Sequence, residues 1–301
     1  MTDAQAAPRA ADFPGELDET HLAQYRESGY LAFENVLGAD EVEEAREALT
    51  EITVRLLERA RRGEAEISQR PGATRNYAGV QVKDPDLDYS IHFEAGVDPL
   101  SLPPEEAERK FRKLHGYHRA HPFFTRLASD DPRLVGTIGR LIGEEARLKA
   151  EMALSKPPFI GSEKPWHQDN AYFNWLPLDK VATAWIALDD ATVENGCMHL
   201  LPGDHTIGPL RHHHTIDCEI LPDRIDKGRA LPVPLRAGGV LFFSAMLPHQ
   251  TPPNQSDGRR RALQFQYRGV SARQVSKEEF GRVFAEADGA PASCALAHEN
   301  G

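Results

Sequence analysis

Two rhythms of apolar residues divide the chain near residue 146, a helical one before it and a strand-like one after it. Asp40 opens a long helix with Glu43 three residues on, as in a capping box, and Val42, Ala45, Leu49, Ile52 and Leu56 follow at helical steps. These five make one core-facing stripe. A shorter helix from about Asp18 to Ser28 presents Leu22 and Tyr25 and stops at Gly29, and Tyr30 to Val36 reads as a strand. Helix resumes near Pro104. There Asp131-Pro132 provides an N-cap with proline in the first turn, Leu134, Ile138 and Leu141 a buried face, and Gly143 an end.

From Arg147 onward short runs of period two take over: Leu148 to Leu154, Val181 to Leu188, Met198 to Leu201, Leu231 to Leu235, Val240 to Ser244 and Ala262 to Tyr267. Glu194-Asn195-Gly196, Pro202-Gly203-Asp204, Gly238-Gly239 and Pro252-Pro253-Asn254 punctuate them as turns. The expected fold class is α+β, a double-stranded β-helix (a cupin-like jelly roll) flanked by N-terminal helices. A single domain is expected over 17–288, with a helical part at 17–145, a jelly-roll core at 146–270 and a C-terminal helix at 275–287. Residues 1–16 and 289–301 have the small, polar composition of disordered ends. Between Glu66 and Pro104 the periodicity fails, and a loop of that length is expected to be a lid or binding loop, the alternative being a plain surface insertion. Arg75, Tyr77, Gln81, Tyr89 and His92 would be its ligand-facing residues.

The formal net charge of -11 over 301 residues argues against nucleic acid or an anionic membrane as partner, because either needs a clustered basic footprint. A small-molecule substrate fits better. No run reaches the ~18 apolar residues of a membrane span, and the N-terminus lacks the pattern of a signal peptide. Cys197, Cys218 and Cys294 are odd in number and widely spaced, so free thiols in a reducing cytoplasm are expected.

The chemistry gathers around Lys164 to Phe173, reading KPWHQDNAYF. In extended backbone His167 and Asp169 point to one face, as two thirds of the 2-His-1-carboxylate set that holds non-haem Fe(II). A hydrogen bond in a surface loop is the bland alternative. His249, after the apolar run VLFFSAM, is the best candidate for the third ligand. The triplet Arg259, Arg260 and Arg261 follows, and a guanidinium is the natural clamp for a carboxylate. Two other histidine clusters, His115, His118 and His121, and His212, His213 and His214, are not expected to form the primary metal site; neighbours in the second would alternate in direction.

HxD at His167 and Asp169, followed by H-x-T-x-x-N-x-S-x-x-x-R from His249 to Arg260, resembles the phytanoyl-CoA dioxygenase family of Fe(II)/2-oxoglutarate oxygenases. The resemblance runs from about Asp18 to Tyr267 and includes Tyr30-Leu31, Lys156-Pro157-Pro158, Trp185 and Glu194 to Cys197. It implies Fe(II), 2-oxoglutarate and O2 as cofactor and cosubstrates, with His167, Asp169 and His249 on the metal and Arg260 on the distal carboxylate of 2-oxoglutarate. Thr251, Trp185, Gln168, Met152 and Lys113 match positions lining the cosubstrate pocket, although Trp185 and Met152 also suit plain core. Tyr172 and Phe173 are expected as a substrate wall opposite Tyr77, Gln81 and His92. Halogenating relatives carry a small residue where Asp169 stands, so hydroxylation with release of succinate and CO2 is the expected outcome, although desaturation or ring formation would use the same residues. Two rival readings stay open, a cupin-type metalloenzyme without 2-oxoglutarate and a non-catalytic binding module on the same fold.

Overall fold

The computed structural model of the chain describes residues 10–69, 79–214 and 217–294. Helix α1 (Glu19–Ser28) starts where Asp18 accepts the His21 N–H at 2.9 Å and ends where Gly29 turns to φ 82°, a backbone state that glycine adopts without strain. Helix α2 (Ala39–Arg61) carries the expected stripe, and Ala45, Leu49, Ile52 and Leu56 are fully buried. Its cap lies two residues earlier than expected: Glu41, not Glu43, reaches back to the Gly38 N–H at 2.9 Å, while Glu43 pairs with Arg46. Shorter helices follow as α3 (Pro104–Glu108), α4 (Pro122–Ser129), α5 (Thr137–Ile142) and α6 (Lys277–Val283).

In chain order the first strands are β1 (Ala11–Asp12), β2 (Tyr30–Glu34), β3 (Glu66–Gln69), β4 (Val80–Lys83), β5 (Ser90–Phe93) and β6 (Phe111–His115). Next come β7 (Ala146–Lys156), β8 (Lys164–His167), β9 (Trp175–Leu176), β10 (Val181–Ala187), β11 (Met198–Leu200) and β12 (His212–His214). The last are β13 (Cys218–Ile220), β14 (Leu231–Val233), β15 (Val240–Ser244), β16 (His249–Thr251), β17 (Arg260–Gly269) and β18 (Arg273–Gln274). Ten of them form the major sheet in the order β1-β2-β15-β10-β17-β7-β6-β5-β4-β3, and β14-β11-β16-β8 form a smaller sheet. The two sheets make the jelly roll, in which the large sheet does not close into a barrel.

Period two decides which core each side chain enters. On β10, Ala182, Ala184 and Ile186 face the helices, while Trp185 and Ala187 face the minor sheet. Val240 and Phe242 on β15 join the helix side, and Leu241 and Phe243 the other. With both faces covered, these strands read as almost continuous apolar runs rather than clean alternation.

Three expectations need correction. The stretch 66–104 is not irregular throughout, because β3, β4 and β5 extend the major sheet antiparallel beyond β6. Tyr89, Ile91 and Phe93 supply that alternation, each buried beneath α2 or beside β6. The chain ends are partly ordered: β1 pairs with β2, and Ala292 and Cys294 are buried against α6. Finally, Cys218 and Cys294 are joined in a disulfide with Cα atoms 5.9 Å apart, so only Cys197 is a free, buried thiol. Folding brings β13 against the segment after α6, a proximity that sequence spacing does not encode. No helix among the described residues is long and apolar enough to cross a membrane.

Candidate metal centre and adjoining cavity

Strand β8 delivers His167, and Gln168 continues in extended backbone (φ -105°, ψ 131°) to Asp169, the first residue of a tight turn over Asp169–Tyr172. His249 begins β16 and pairs in register with His167 across the minor sheet. The three side chains converge. His167 Nε2 and His249 Nε2 lie 3.6 and 3.7 Å from Asp169 Oδ1, with the imidazole centroids 4.1 Å apart. Among the described residues they form the one cluster whose ligand atoms lie within 4.8 Å of one another.

Each imidazole is oriented through its other nitrogen. His167 Nδ1 donates to Pro165 O at 2.8 Å and His249 Nδ1 to Leu247 O at 2.9 Å, which leaves both Nε2 lone pairs aimed at the cluster. Thr183 donates its hydroxyl to Asp169 Oδ2 at 2.8 Å and so presents Oδ1 to the two rings. Burial pushes the Asp169 carboxyl upward, but the neighbouring imidazoles outweigh it and hold the group well below the usual carboxylate range. Burial, helped by His167, pushes His249 down to about 3, so its ring is neutral and fit to ligate.

Arg260 opens β17 with 1% exposure, yet its Nε and Nη1 have no hydrogen-bond partner. Its guanidinium lies 5.4 Å from the Trp185 ring centroid, and burial pushes it down to about 10, still charged at neutral pH. The flanking arginines turn elsewhere, Arg259 to Glu108 and Arg261 to Asp189, each at 2.9 Å. A buried cation with idle donors is costly unless an anion meets it.

One cavity of about 380 Å³ is lined by the His-Asp-His cluster and by Arg260. Met152, Thr251, Lys113, Tyr172 and Phe173 also line it. Trp185 stands behind Arg260 rather than on the wall. Gln168 is turned away. Its amide binds Gly208 O, Met246 O and the Leu210 N–H, since the residue between two same-face ligands must point to the opposite side. Gln81 and His92 face each other across β4 and β5 and are not on the wall, although His92 packs 5.4 Å from His115, which is. Tyr77 and Arg75 lie outside the described residues.

Two wall residues, Lys164 and Asp217, carried no signal of their own in the sequence. Lys164 binds Asp217 and Tyr172, and Tyr172 donates to Asp217 Oδ1 at 2.8 Å beside His167. His212 is outside the metal cluster, as expected of that histidine run, but it is not idle. Its Nε2 accepts the Gln168 N–H at 3.0 Å while Nδ1 donates to Leu210 O and Ala292 O, which braces the turn between the two ligands.

The comparisons with known proteins agree with this geometry. The family model of phytanoyl-CoA dioxygenase (PhyH) matches residues 25–262. "Phytanoyl-CoA dioxygenase domain-containing protein 1" of Bos taurus is 27% identical over 271 residues, covering 83% of this chain and 89% of that protein. The crystal structure of the non-heme alpha ketoglutarate dependent carbocyclase SnoK, from nogalamycin biosynthesis, has 26% identity and a TM-score of 0.63 over 88% of this chain and 89% of that one. EvdO2 from Micromonospora carbonacea var. aurantiaca, crystallised with 2-oxoglutarate, shares the fold at 22% identity, with a TM-score of 0.59 over 88% of this chain and 96% of that one. The chain belongs to the phytanoyl-CoA dioxygenase family and is a non-haem iron, 2-oxoglutarate-dependent oxygenase.

Proposed function

We propose that this oxygenase hydroxylates an unactivated carbon of a small-molecule metabolite, with His167, Asp169 and His249 as the iron ligands and Arg260 as the clamp for the distal carboxylate of 2-oxoglutarate. The observation that carries this reading is the shared cavity: a buried two-imidazole, one-carboxylate set and a buried guanidinium with unpaired donors open into the same space. The donor set suits Fe(II), and the idle Nε and Nη1 of Arg260 suit a carboxylate. Bound there, iron and 2-oxoglutarate would supply oxidation of a carbon–hydrogen bond by O2, with succinate and CO2 released.

The chain's own residues set the conditions. Pro165 O, Leu247 O and Thr183 hold the three ligands in orientation. Trp185 backs the guanidinium, and Thr251, Met152 and Lys113 complete the wall around the cosubstrate. Tyr172 and Phe173 form the wall for the substrate, and the surrounding strands exclude water from the reacting carbon.

The test is succinate formation by the iron-loaded enzyme from 2-oxoglutarate, followed by a screen of metabolite extracts for products one oxygen atom heavier. Iron-dependent succinate that disappears in His249→Ala supports the reading. Wild-type enzyme that binds iron but leaves 2-oxoglutarate untouched, whatever extract is added, would overturn it.

A further inference from the structure

The cavity is basic in an acidic protein. Arg112, Lys113, Lys164 and Arg260 line it against three carboxylates, beside Lys156, which burial holds well below its usual range, although the whole chain carries a formal net charge of -11. Asp169 belongs to the metal cluster and Asp217 is held by Lys164 and Tyr172. A divalent metal and a dianionic cosubstrate entering together cancel each other's charge, so they leave the charge balance of the wall as it is.

One more lysine, Lys149, just outside the cavity lining beside Ala150 and Phe173, is brought to this face of the sheet by a break in the strand register. Along β7 and β17, Gln266 pairs with Ala150 and Tyr267 with Leu148, so Lys149 is an extra residue with no partner opposite. The effect on facing is plain from its neighbours. Ala150, Met152 and Leu154 line the cavity, whereas Ala146, Leu148 and Ala153 pack against the helices. In unbroken register Lys149 would share the helix-facing side with Glu151 and Ala153; the bulge turns it over.

The ammonium of Lys149 lies 2.8 Å from the centroid of Phe173, a wall residue. No carboxylate is within ion-pair distance of it among the described residues, and Asp169 acts on it only at long range. Burial pushes the group down to about 7, against the pull of Asp169. A lysine placed by a bulge, half-buried and matched to no carboxylate is poorly explained as scaffold.

We propose that Lys149 is a specificity-determining residue that anchors an oxyanion of the substrate, a carboxylate or phosphonate, at the Phe173 end of the cavity, with the apolar part of the substrate against Phe173 and Ala150. This rests on the hydroxylase reading for the word substrate, but the anion site itself is a property of binding. The anchor holds one end of the molecule while the carbon to be oxidised lies toward the His-Asp-His cluster.

The experiment is anaerobic calorimetric titration of the Fe(II)- and 2-oxoglutarate-loaded protein with octanoate, octylphosphonate and the neutral octanamide. Wild type should bind at least one of the two anions about tenfold or more tightly than the amide, as a charged hydrogen bond warrants. Lys149→Met should lose that preference while keeping its affinity for octanamide, and Lys149→Arg should retain it. Which anion is preferred assigns the oxyanion class. No preference for either anion in wild type, or an undiminished preference in Lys149→Met, overturns the proposal. Succinate formation is scored separately, so absence of turnover with an intact anion preference would count against the oxygenase reading and not against the anchor.

Discussion

Three consecutive arginines separate into three environments because β17 alternates its faces and begins at a sheet crossing. Arg260→Ala removes a fork with idle donors and should raise the KM for 2-oxoglutarate by about ten- to a hundredfold, read from initial rates of succinate formation. Arg259→Ala instead strands Glu108, only 3% exposed, and should lower the thermal midpoint by an amount equivalent to about 3 kcal/mol with little change in that KM. Equal KM effects from both would contradict the facing of the strand. A second contrast concerns histidines. His249→Ala should abolish tight Fe(II) binding, whereas His212→Ala, which removes the brace on the Gln168 N–H, should weaken iron about tenfold, as loss of an outer partner typically does. Anaerobic iron titration checks the ranking. That His167, Asp169, His249 and Arg260 would share one site was legible in the sequence because their spacing is a joint pattern. Thr183 and His212 were not, since a lone threonine or histidine acquires its partner only when distant segments meet. Gln168 was misplaced because matching a family position says nothing about which way an amide points.

At the level of elements, the helical stripe of α2 and the strands after residue 146 could be read directly from periodicity. The strands between 66 and 93 escaped because they are four residues long and β4 and β5 are separated by an Asp-rich turn in which Asp84 caps the Asp86 and Leu87 N–H groups and binds Arg59. The register breaks at Lys149 and Arg112 were equally hidden, as a bulge is visible only when two strands are paired. The disulfide has consequences at this scale. It closes a loop of 76 residues between β13 and the segment after α6, and chain-entropy arguments put its worth at up to about 4 kcal/mol. Reduction, or Cys218→Ser with Cys294→Ser, should therefore lower the thermal midpoint. Because Ala292 O accepts from His212, the same change should also weaken Fe(II) binding, measurable by titration before and after reductant. Unaltered iron affinity in the reduced protein would show that the β12–β13 ribbon holds His212 without the strap.

For the whole molecule, the metal group links two sheets. His167 and His249 come from the minor sheet, Thr183 and Arg260 from the major one, so ligand loading should stabilise the fold as a unit. Saturating Fe(II) at a hundred times its dissociation constant is worth about 2.7 kcal/mol, and chelation should reverse the resulting rise in thermal midpoint. A triple variant lacking all three ligands should show no rise. The central sheet order carries a further consequence. β17 lies between β10 and β7, strands made well before it, and β15 joins β10 to β2 from opposite ends of the chain. None of these neighbours is a local hairpin, so the β7 and β10 halves of the sheet cannot be joined on the ribosome until residues 260–269 have emerged, and folding should be slow, in the millisecond-to-second range. The last strand of the major sheet to be synthesised also begins with Arg260, the proposed carboxylate clamp. A nascent or prematurely terminated chain would thus gain neither a continuous major sheet nor the proposed grip on cosubstrate, and oxidising chemistry would be withheld until the protein around it is complete.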